Sequence, residues 1–239
     1  MANIRIWGVT DPGRQRQRNE DAIVWDESRG FAVLADGVGG QNAGDVASGL
    51  VVSILDTRLR ADPAGEPEQH LAAAVREANA QIHSRAAANA VYAGMGSTVV
   101  AVQFLGRELV VAHVGDSRLY RWRAGALERL TLDHSLVQEM VSGGFMSAEE
   151  ARASGHRHVI TRALGSASAV DVEVQRHDLR SGDRLLLCSD GLNDLADDAE
   201  IAVVLARGMP PEVAALDLVA LANEKGGSDN VSAIVVDVL

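Results

Sequence analysis

The chain holds a single cysteine and a deficit of positive charge, 22 lysines and arginines against 33 aspartates and glutamates, for a formal net charge of −11 over 239 residues. It also lacks any run near the roughly 18 consecutive apolar residues of a membrane-spanning helix. Each absence removes a class. Lone Cys188 excludes an intrachain disulfide and fits a reducing compartment. The residue six places after it is Asp194, so the Cys-x5-Arg loop of thiolate phosphate chemistry is missing, and Cys188 reads as a small buried strand residue. The negative balance disfavours nonspecific contact with nucleic acid or anionic membrane, since polyanions are repelled. Met1 to Val9 shows no apolar signal region, so a soluble, cytoplasmic protein is expected. There is no Gly-x-Ser-x-Gly elbow, no His-Glu-x-x-His zinc helix and no Gly-x-x-x-x-Gly-Lys phosphate loop. Gly94-Met95-Gly96-Ser97 lacks the third glycine of a dinucleotide turn.

With 47% hydrophobic residues the chain can bury a sizeable core, and a single domain over 1–239 is the simplest organisation. Apolar alternation and β-rich runs predict strands over Asn3 to Val9, Ala22 to Trp25, Phe31 to Ala35, Ser97 to Leu105, Glu108 to Val114, Arg118 to Trp122, Val170 to Val174, Arg184 to Ser189 and Val231 to Val238. The short turns at Gly106 and Gly115 suggest antiparallel meanders. Helical spacing appears in Val46, Leu50 and Ile54, ended by Asp62-Pro63-Ala64-Gly65-Glu66-Pro67, and in Leu71, Val75, Ala78 and Ile82. Further helices are predicted near Asp198 to Ala206 and Pro211 to Asn223. Residues 142–158, polar and glycine-bearing, read as an exposed flap. Strand groups separated by helix pairs favour an α+β layered fold over a βαβ repeat.

Three aspartates stand where apolar strands break beside glycine or asparagine: Asp36 before Gly37, Asp190 before Gly191, and Asp229 before Asn230. Such pairs are ordinary turn sequences one at a time. Together they offer the oxygen ligands that Mg2+ or Mn2+ prefers, and the glycines would let backbone pass close to the ions. Two ions about 3.5 to 4 Å apart can activate a water for in-line displacement, for which phosphate-ester hydrolysis is the natural reaction. Glu20 and Asp21 follow Arg14-Gln15-Arg16-Gln17-Arg18-Asn19, and a guanidinium beside metal-bound carboxylates could clamp a phosphate.

The ordered set Arg16, Asn19-Glu20-Asp21, Asp36-Gly37-Val38-Gly39-Gly40, Gly44, Ala47-Ser48, Gly96-Ser97-Thr98, Val114-Gly115-Asp116-Ser117-Arg118, Leu130-Thr131-Leu132-Asp133-His134-Ser135, Ile160-Thr161-Arg162-Ala163-Leu164-Gly165, Ser189-Asp190-Gly191-Leu192 and Gly227-Ser228-Asp229-Asn230 resembles the PP2C-type (PPM) metal-dependent protein serine/threonine phosphatases, of bacterial type, over nearly the whole chain. The resemblance implies a four-layer α-β-β-α sandwich, two packed antiparallel sheets flanked by helix pairs, with a metal cleft at one end. It implies that Asp36 bridges two Mn2+ or Mg2+ ions, that the Gly37 carbonyl completes one and that Asp190 and Asp229 hold the other. Glu20 and Asp21 would act mainly through waters on the ions, and Arg16 would bind substrate phosphate. Bacterial members often take a third ion, whose position falls on Asp116 with Asp190; a turn-capping role is its alternative. The flap would contact substrate or gate the cleft. Where some relatives have a histidine acid, this chain has Val38, leaving water, the metals, or one of His134, His156 and His158. Implied partners are phosphorylated proteins, including a serine/threonine kinase or its substrates, met by a monomer. A noncatalytic scaffold would show a lost aspartate, and all three are present; a phosphatase dedicated to one phosphoserine regulator is the other alternative.

Overall fold

Phe31 to Ala35 is apolar at every position rather than alternating, which requires a strand covered on both faces. The computed structural model describes residues 3–39, 43–61 and 65–239. Met1, Ala2, Gly40 and the expected helix stop at Asp62-Pro63-Ala64 lie outside the described residues. In chain order the strands are β1 (Ile4–Asp11), β2 (Asp21–Asp26), β3 (Phe31–Val38), β4 (Gly96–Ser97), β5 (Val99–Leu105), β6 (Glu108–Val114), β7 (Arg118–Arg123), β8 (Ala126–Arg129), β9 (Glu173–Asp178), β10 (Arg184–Cys188) and β11 (Val231–Val238). The helices are α1 (Gly44–Arg60), α2 (Pro67–Ala88), α3 (Leu136–Ser142), α4 (Ala148–Ala153), α5 (Asp190–Asn193), α6 (Asp198–Ala206) and α7 (Pro211–Glu224).

One sheet runs β1-β11-β10-β7-β8, the other β2-β3-β5-β6-β9 with β4 on β3, and every pairing is antiparallel. Three cores stack the four layers. On β3, Phe31, Val33 and Ala35 pack against α1 and α2 through Val51, Leu55, Leu71 and Ile82. Ala32 and Leu34 instead meet Ile234, Val236 and Leu187 of the other sheet. Val231, Ala233 and Val235 then face α6 and α7 through Ile201, Leu205, Ala215 and Leu218. Period-two alternation therefore sorts each central strand between two cores. Fully burying each such leucine or isoleucine contributes about 1.5–3 kcal/mol. Among the described residues no helix is long and apolar enough to cross a membrane.

Two expectations change. Gly115 does not turn a hairpin: β6 and β7 belong to different sheets, and the chain crosses between them at residues 115–117, with Gly115 at φ 110°. The ninth strand begins at Glu173, later than Val170, because Val170 and Val172 pack into the helix-side core before the chain joins β6.

Several ion pairs reach the interior, among them Arg118 with Asp133, Arg123 with Asp183 and Arg184 with Asp237. Arg184, 7% exposed, grips Asp237 on the adjacent strand through Nε (2.6 Å) and Nη2 (2.8 Å), and caps the carbonyls of Leu205 (3.2 Å) and Met209 (2.6 Å). Arg184→Ala leaves a partly buried carboxylate and two carbonyls without that donor, so it is expected to cost ~3–5 kcal/mol. The melting temperature should then fall by roughly 10 °C in calorimetry. A fall below about 2 °C would mean that water replaces the guanidinium at little cost.

Candidate metal centre

The two sheets meet at one end in a seam built from strand termini. Asp21 opens β2 and lies directly across from Asp36 of β3. Like charges placed opposite in a ladder oppose folding, so this register marks a site selected for something other than stability. Asp190 is the first residue of α5, immediately after β10, Asp229 precedes β11, and Asp116 sits on the crossing from β6 to β7.

Asp21 is 8% exposed and is clasped by the opposite sheet: its Oδ2 accepts from Ser189 Oγ (2.8 Å) and Ser232 Oγ (2.6 Å). Thr10 in turn approaches Ser232 Oγ at 2.7 Å. The other oxygen, Oδ1, is buried with no hydrogen-bond partner. Burial pushes the Asp21 carboxyl up to about 6, with the two serines opposing it. Asp36 is pushed well above the usual carboxylate range by burial first, then by Asp21, Asp190, Asp116 and Asp229. Asp190 rises for the same reason, burial ahead of Asp116 and Asp194, and its Oδ1 is also buried and unpartnered. Burial, then Asp133, carries Asp116 to about 7.

Asp229 accepts from Asn230 N (2.8 Å) and, on Oδ2, from Arg16 Nη2 (2.7 Å). Arg16, expected from the sequence to clamp phosphate, is thus tethered to a candidate ligand while its side chain remains half exposed. Glu20 is placed differently from Asp21. Its Oε2 lies beside Gly44, where an added Cβ would come within 2.7 Å, at the N-terminus of α1, whose dipole favours an anion. Its carboxyl is nevertheless raised, by burial and then Asp45, while its carbonyl accepts from Gly37 N (3.0 Å) and Ser48 Oγ (2.6 Å).

The glycines have a more specific reason than closeness to an ion. A Cβ on Gly37 would fall 2.1 Å from Gly44 O, and one on Gly191 2.0 Å from Asn230 O. Asn230 is the bracket of the seam, accepting from Glu20 N (2.8 Å) and donating to Pro12 O (3.0 Å) and Arg18 O (2.8 Å).

The donor set fits hard divalent cations. Four carboxyls raised by burial and mutual repulsion, with two orphaned buried oxygens among them, call for positive charge beyond what Arg118 gives Asp116 and Arg16 gives the neighbouring Asp229. All-oxygen donors select Mg2+ or Mn2+ over softer metals. Asp36, Asp190 and Asp229 do not gather within one 4.8 Å set, whereas His158, Asp190 and Asp194 do.

That second set shows what sequence spacing missed. Asp194 lies one helical turn beyond Asp190, and His158 Nδ1 reaches its Oδ2 at 2.8 Å, bringing the flap over a cavity of about 500 Å3 lined by Asp116, Arg118, Arg157, His158, Asp190 and Asp194. The flap is also less irregular than expected, carrying α4 behind a capping box of Ser147 and Glu150. Of the histidines weighed as acids, His156 is held through its main chain, N donating to Ser154 Oγ (3.1 Å) and the carbonyl accepting from Val159 N (3.0 Å). His134 is 8% exposed; its Nδ1 accepts from Gly115 N (3.0 Å), and its Nε2 sits between Glu173 Oε2 (3.2 Å) and Arg162 Nη1 (3.1 Å). It stacks on His113 with centroids 4.5 Å apart. His113, His134 and Glu173 have metal-like spacing, but a ligating imidazole donates through its other nitrogen, and His134 Nδ1 accepts instead. His134 braces the Gly115–Asp116 crossing.

A family model described as protein phosphatase 2C matches residues 13–217. The serine/threonine protein phosphatase PstP of Mycobacterium tuberculosis is 41% identical over 99% of the chain and 45% of its own length, so the chain spans about half of that relative. Protein phosphatase PhpP of Streptococcus pneumoniae is 34% identical, with 95% of each protein covered. Among solved structures, the catalytic domain of PstP in complex with two manganese ions superposes with a TM-score of 0.89 at 38% identity, covering 99% of this chain and 98% of that one.

Proposed function

Because the chain belongs to the protein phosphatase 2C family, we propose that it removes phosphate from phosphoserine and phosphothreonine in proteins, using Mn2+ or Mg2+. The observation that carries this reading is the opposed pair Asp21 and Asp36 at the seam, two carboxyls raised by burial with an orphaned oxygen between two sheets. When bound, the ions supply an acidified water as nucleophile and positive charge for the phosphoryl oxygens.

The chain's residues then divide the work. Asp36, the Gly37 carbonyl, Asp190 and Asp229 would hold two ions, with Asp116 completing a third. Asp21, fixed by Ser189 and Ser232, and Glu20, fixed at the start of α1, would orient the surrounding water shell. Arg16 has donors beyond the one given to Asp229, and these would take the substrate phosphate in bidentate fashion. Val38 cannot protonate the leaving alkoxide and His134 Nε2 is taken up between Glu173 and Arg162, so the proton would come from solvent water or from His158, whose Nδ1 meets Asp194 at the cavity. The lone buried Cys188 is in keeping with a reducing cytoplasm and the net charge of −11 with a monomer, while one catalytic unit over 1–239 opposite a serine/threonine kinase follows from the family reading.

The direct test is hydrolysis of p-nitrophenyl phosphate and of a phosphothreonine peptide with and without Mn2+. Activity equal in chelator would defeat the reading. Arg16→Ala is expected to raise KM for the peptide by roughly tenfold or more while kcat falls less, because phosphate binding is lost and the nucleophile kept. An unchanged KM with a collapsed kcat would remove Arg16 from phosphate binding.

A further inference from the structure

Arg16 is flanked by two arginines that the proposed chemistry does not use. Arg14, Gln15, Arg16, Gln17 and Arg18 are all exposed, yet the segment carrying them is held firmly. Arg14 N and Gln15 N both donate to Gly227 O (2.7 and 3.2 Å). Asn230 Nδ2 takes the carbonyls of Pro12 (3.0 Å) and Arg18 (2.8 Å). Gly13, at φ 78°, lies so close to the Asp229 carbonyl that a Cβ would fall 2.2 Å from it. The arc from Pro12 to Arg18 is therefore clamped at both ends to the loop that bears Asp229.

Its outer guanidinium groups are available. Most arginines of this chain are paired, among them Arg58 with Glu77, Arg118 with Asp133, Arg123 with Asp183 and Arg176 with Glu68. Among the described residues Arg14 and Arg18 make no side-chain hydrogen bond or ion pair. Arg18, like Arg16, draws the Glu20 carboxyl downward. Arg14 Cγ lies against Gly227, 2.8 Å from where a Cβ would stand. Two unpaired cations on a braced arc, in a chain of net charge −11, form a local anion attractor beside the candidate phosphate position.

We propose that Arg14 and Arg18 form an anionic subsite, so that the preferred substrate carries a second negative group, a carboxylate or another phosphate, within a few residues of the phosphate to be removed. This rests on the phosphatase reading. The alternative, that the arginines merely offset the acidic centre, makes the opposite prediction for specificity: a molecule of charge −11 should then favour basic peptides.

The test compares phosphothreonine peptides whose neighbours are lysine, glutamate or a second phosphothreonine, at fixed Mn2+ and low salt. The wild type is expected to show kcat/KM roughly tenfold higher for the glutamate or doubly phosphorylated peptide than for the lysine peptide, a preference shrinking in 0.5 M salt. The R14Q/R18Q double variant should bring that ratio near one, and Arg18→Glu alone should reverse it. A glutamate arm that carries the preference identifies a carboxylate as the anion, and a diphosphorylated arm identifies phosphate. A wild type that prefers the lysine peptide, or a double variant that keeps the acidic preference, overturns the subsite. Absence of Mn2+-dependent p-nitrophenyl phosphate hydrolysis in the wild type would instead defeat the phosphatase reading itself.

Discussion

Asp36→Asn is expected to lower kcat on a phosphothreonine peptide by more than about a hundredfold, since disturbing only the outer partners of a metal ligand costs roughly 10- to 100-fold. The same change is expected to make the metal-stripped protein more stable at pH 7. The sign follows from the direction of the shifts. Asp36 and Asp21 bind protons more tightly folded than unfolded, so the stripped protein loses stability as pH rises through each unfolded value toward each folded one. For Asp21 the loss runs from roughly 3.9, the usual carboxylate value, to about 6. Asparagine removes the charge facing Asp21, so the variant should melt higher than wild type at pH 7 and vary less with pH across that window. Mn2+ should raise the melting temperature of the wild type and release protons, and should do little for the variant. A variant stabilised by Mn2+ as strongly as the wild type would remove Asp36 from the ligand set.

The second large effect is Gly191→Ala. The added methyl would lie 2.0 Å from Asn230 O, a backbone atom that cannot swing aside as a side-chain tip can. Either α5 shifts, carrying Asp190, or the Asn230 turn shifts, carrying Asp229, Glu20 and Arg18. The expected result is a loss of roughly 2–3 kcal/mol or more, together with weaker Mn2+ binding in calorimetric titration. Gly49→Ala on α1 is the control: nothing lies within 4 Å of its Cβ position, and a helix-interior alanine should add about 0.5–1 kcal/mol. Normal metal affinity in Gly191→Ala would show that the seam tolerates the displacement.

Most of this architecture was legible before any coordinates. The strands over Glu108–Val114 and Val231–Val238 and the helix over Asp198–Ala206 fall where the pattern predicts, because long apolar runs bounded by turn residues leave little choice of element. What the pattern cannot carry is the identity of the neighbour. Gly106 and Gly115 look alike as turn signals, yet the first closes a hairpin and the second sends the chain into the other sheet. Ala126–Arg129 was missed because four alternating residues are too few for a period, and the hairpin turn before it, with Ala124 at φ 50°, carries little signal. At the site, Asp36, Asp190 and Asp229 could be picked out because strands break at them, and Asp116 through the family resemblance alone. Ser189 and Ser232, which fix Asp21, are small strand-end residues without a signature. His134 could be named as a candidate acid, but its brace on Gly115 depends on a contact 19 residues away.

The flap closes on itself before it touches the rest of the molecule. Leu136 N binds Val159 O (2.9 Å), Thr161 N binds His134 O (2.8 Å), and Ser135 pairs with Ile160, so the segment leaves and re-enters the fold through one two-stranded neck. Above that neck it is tied to the body by Arg129 Nη2 on Gln138 Oε1 (2.8 Å) and by charged pairs at the surface, Arg152 with Asp198 and both Arg157 and His158 with Asp194. Residues 137–158 therefore form a cassette. Exchange there has to keep the neck, buried Val137 and Ala151 and the Gln138 contact with Arg129, and the rest is open to vary what the protein recognises while the sheets and their carboxylates stay under separate constraint.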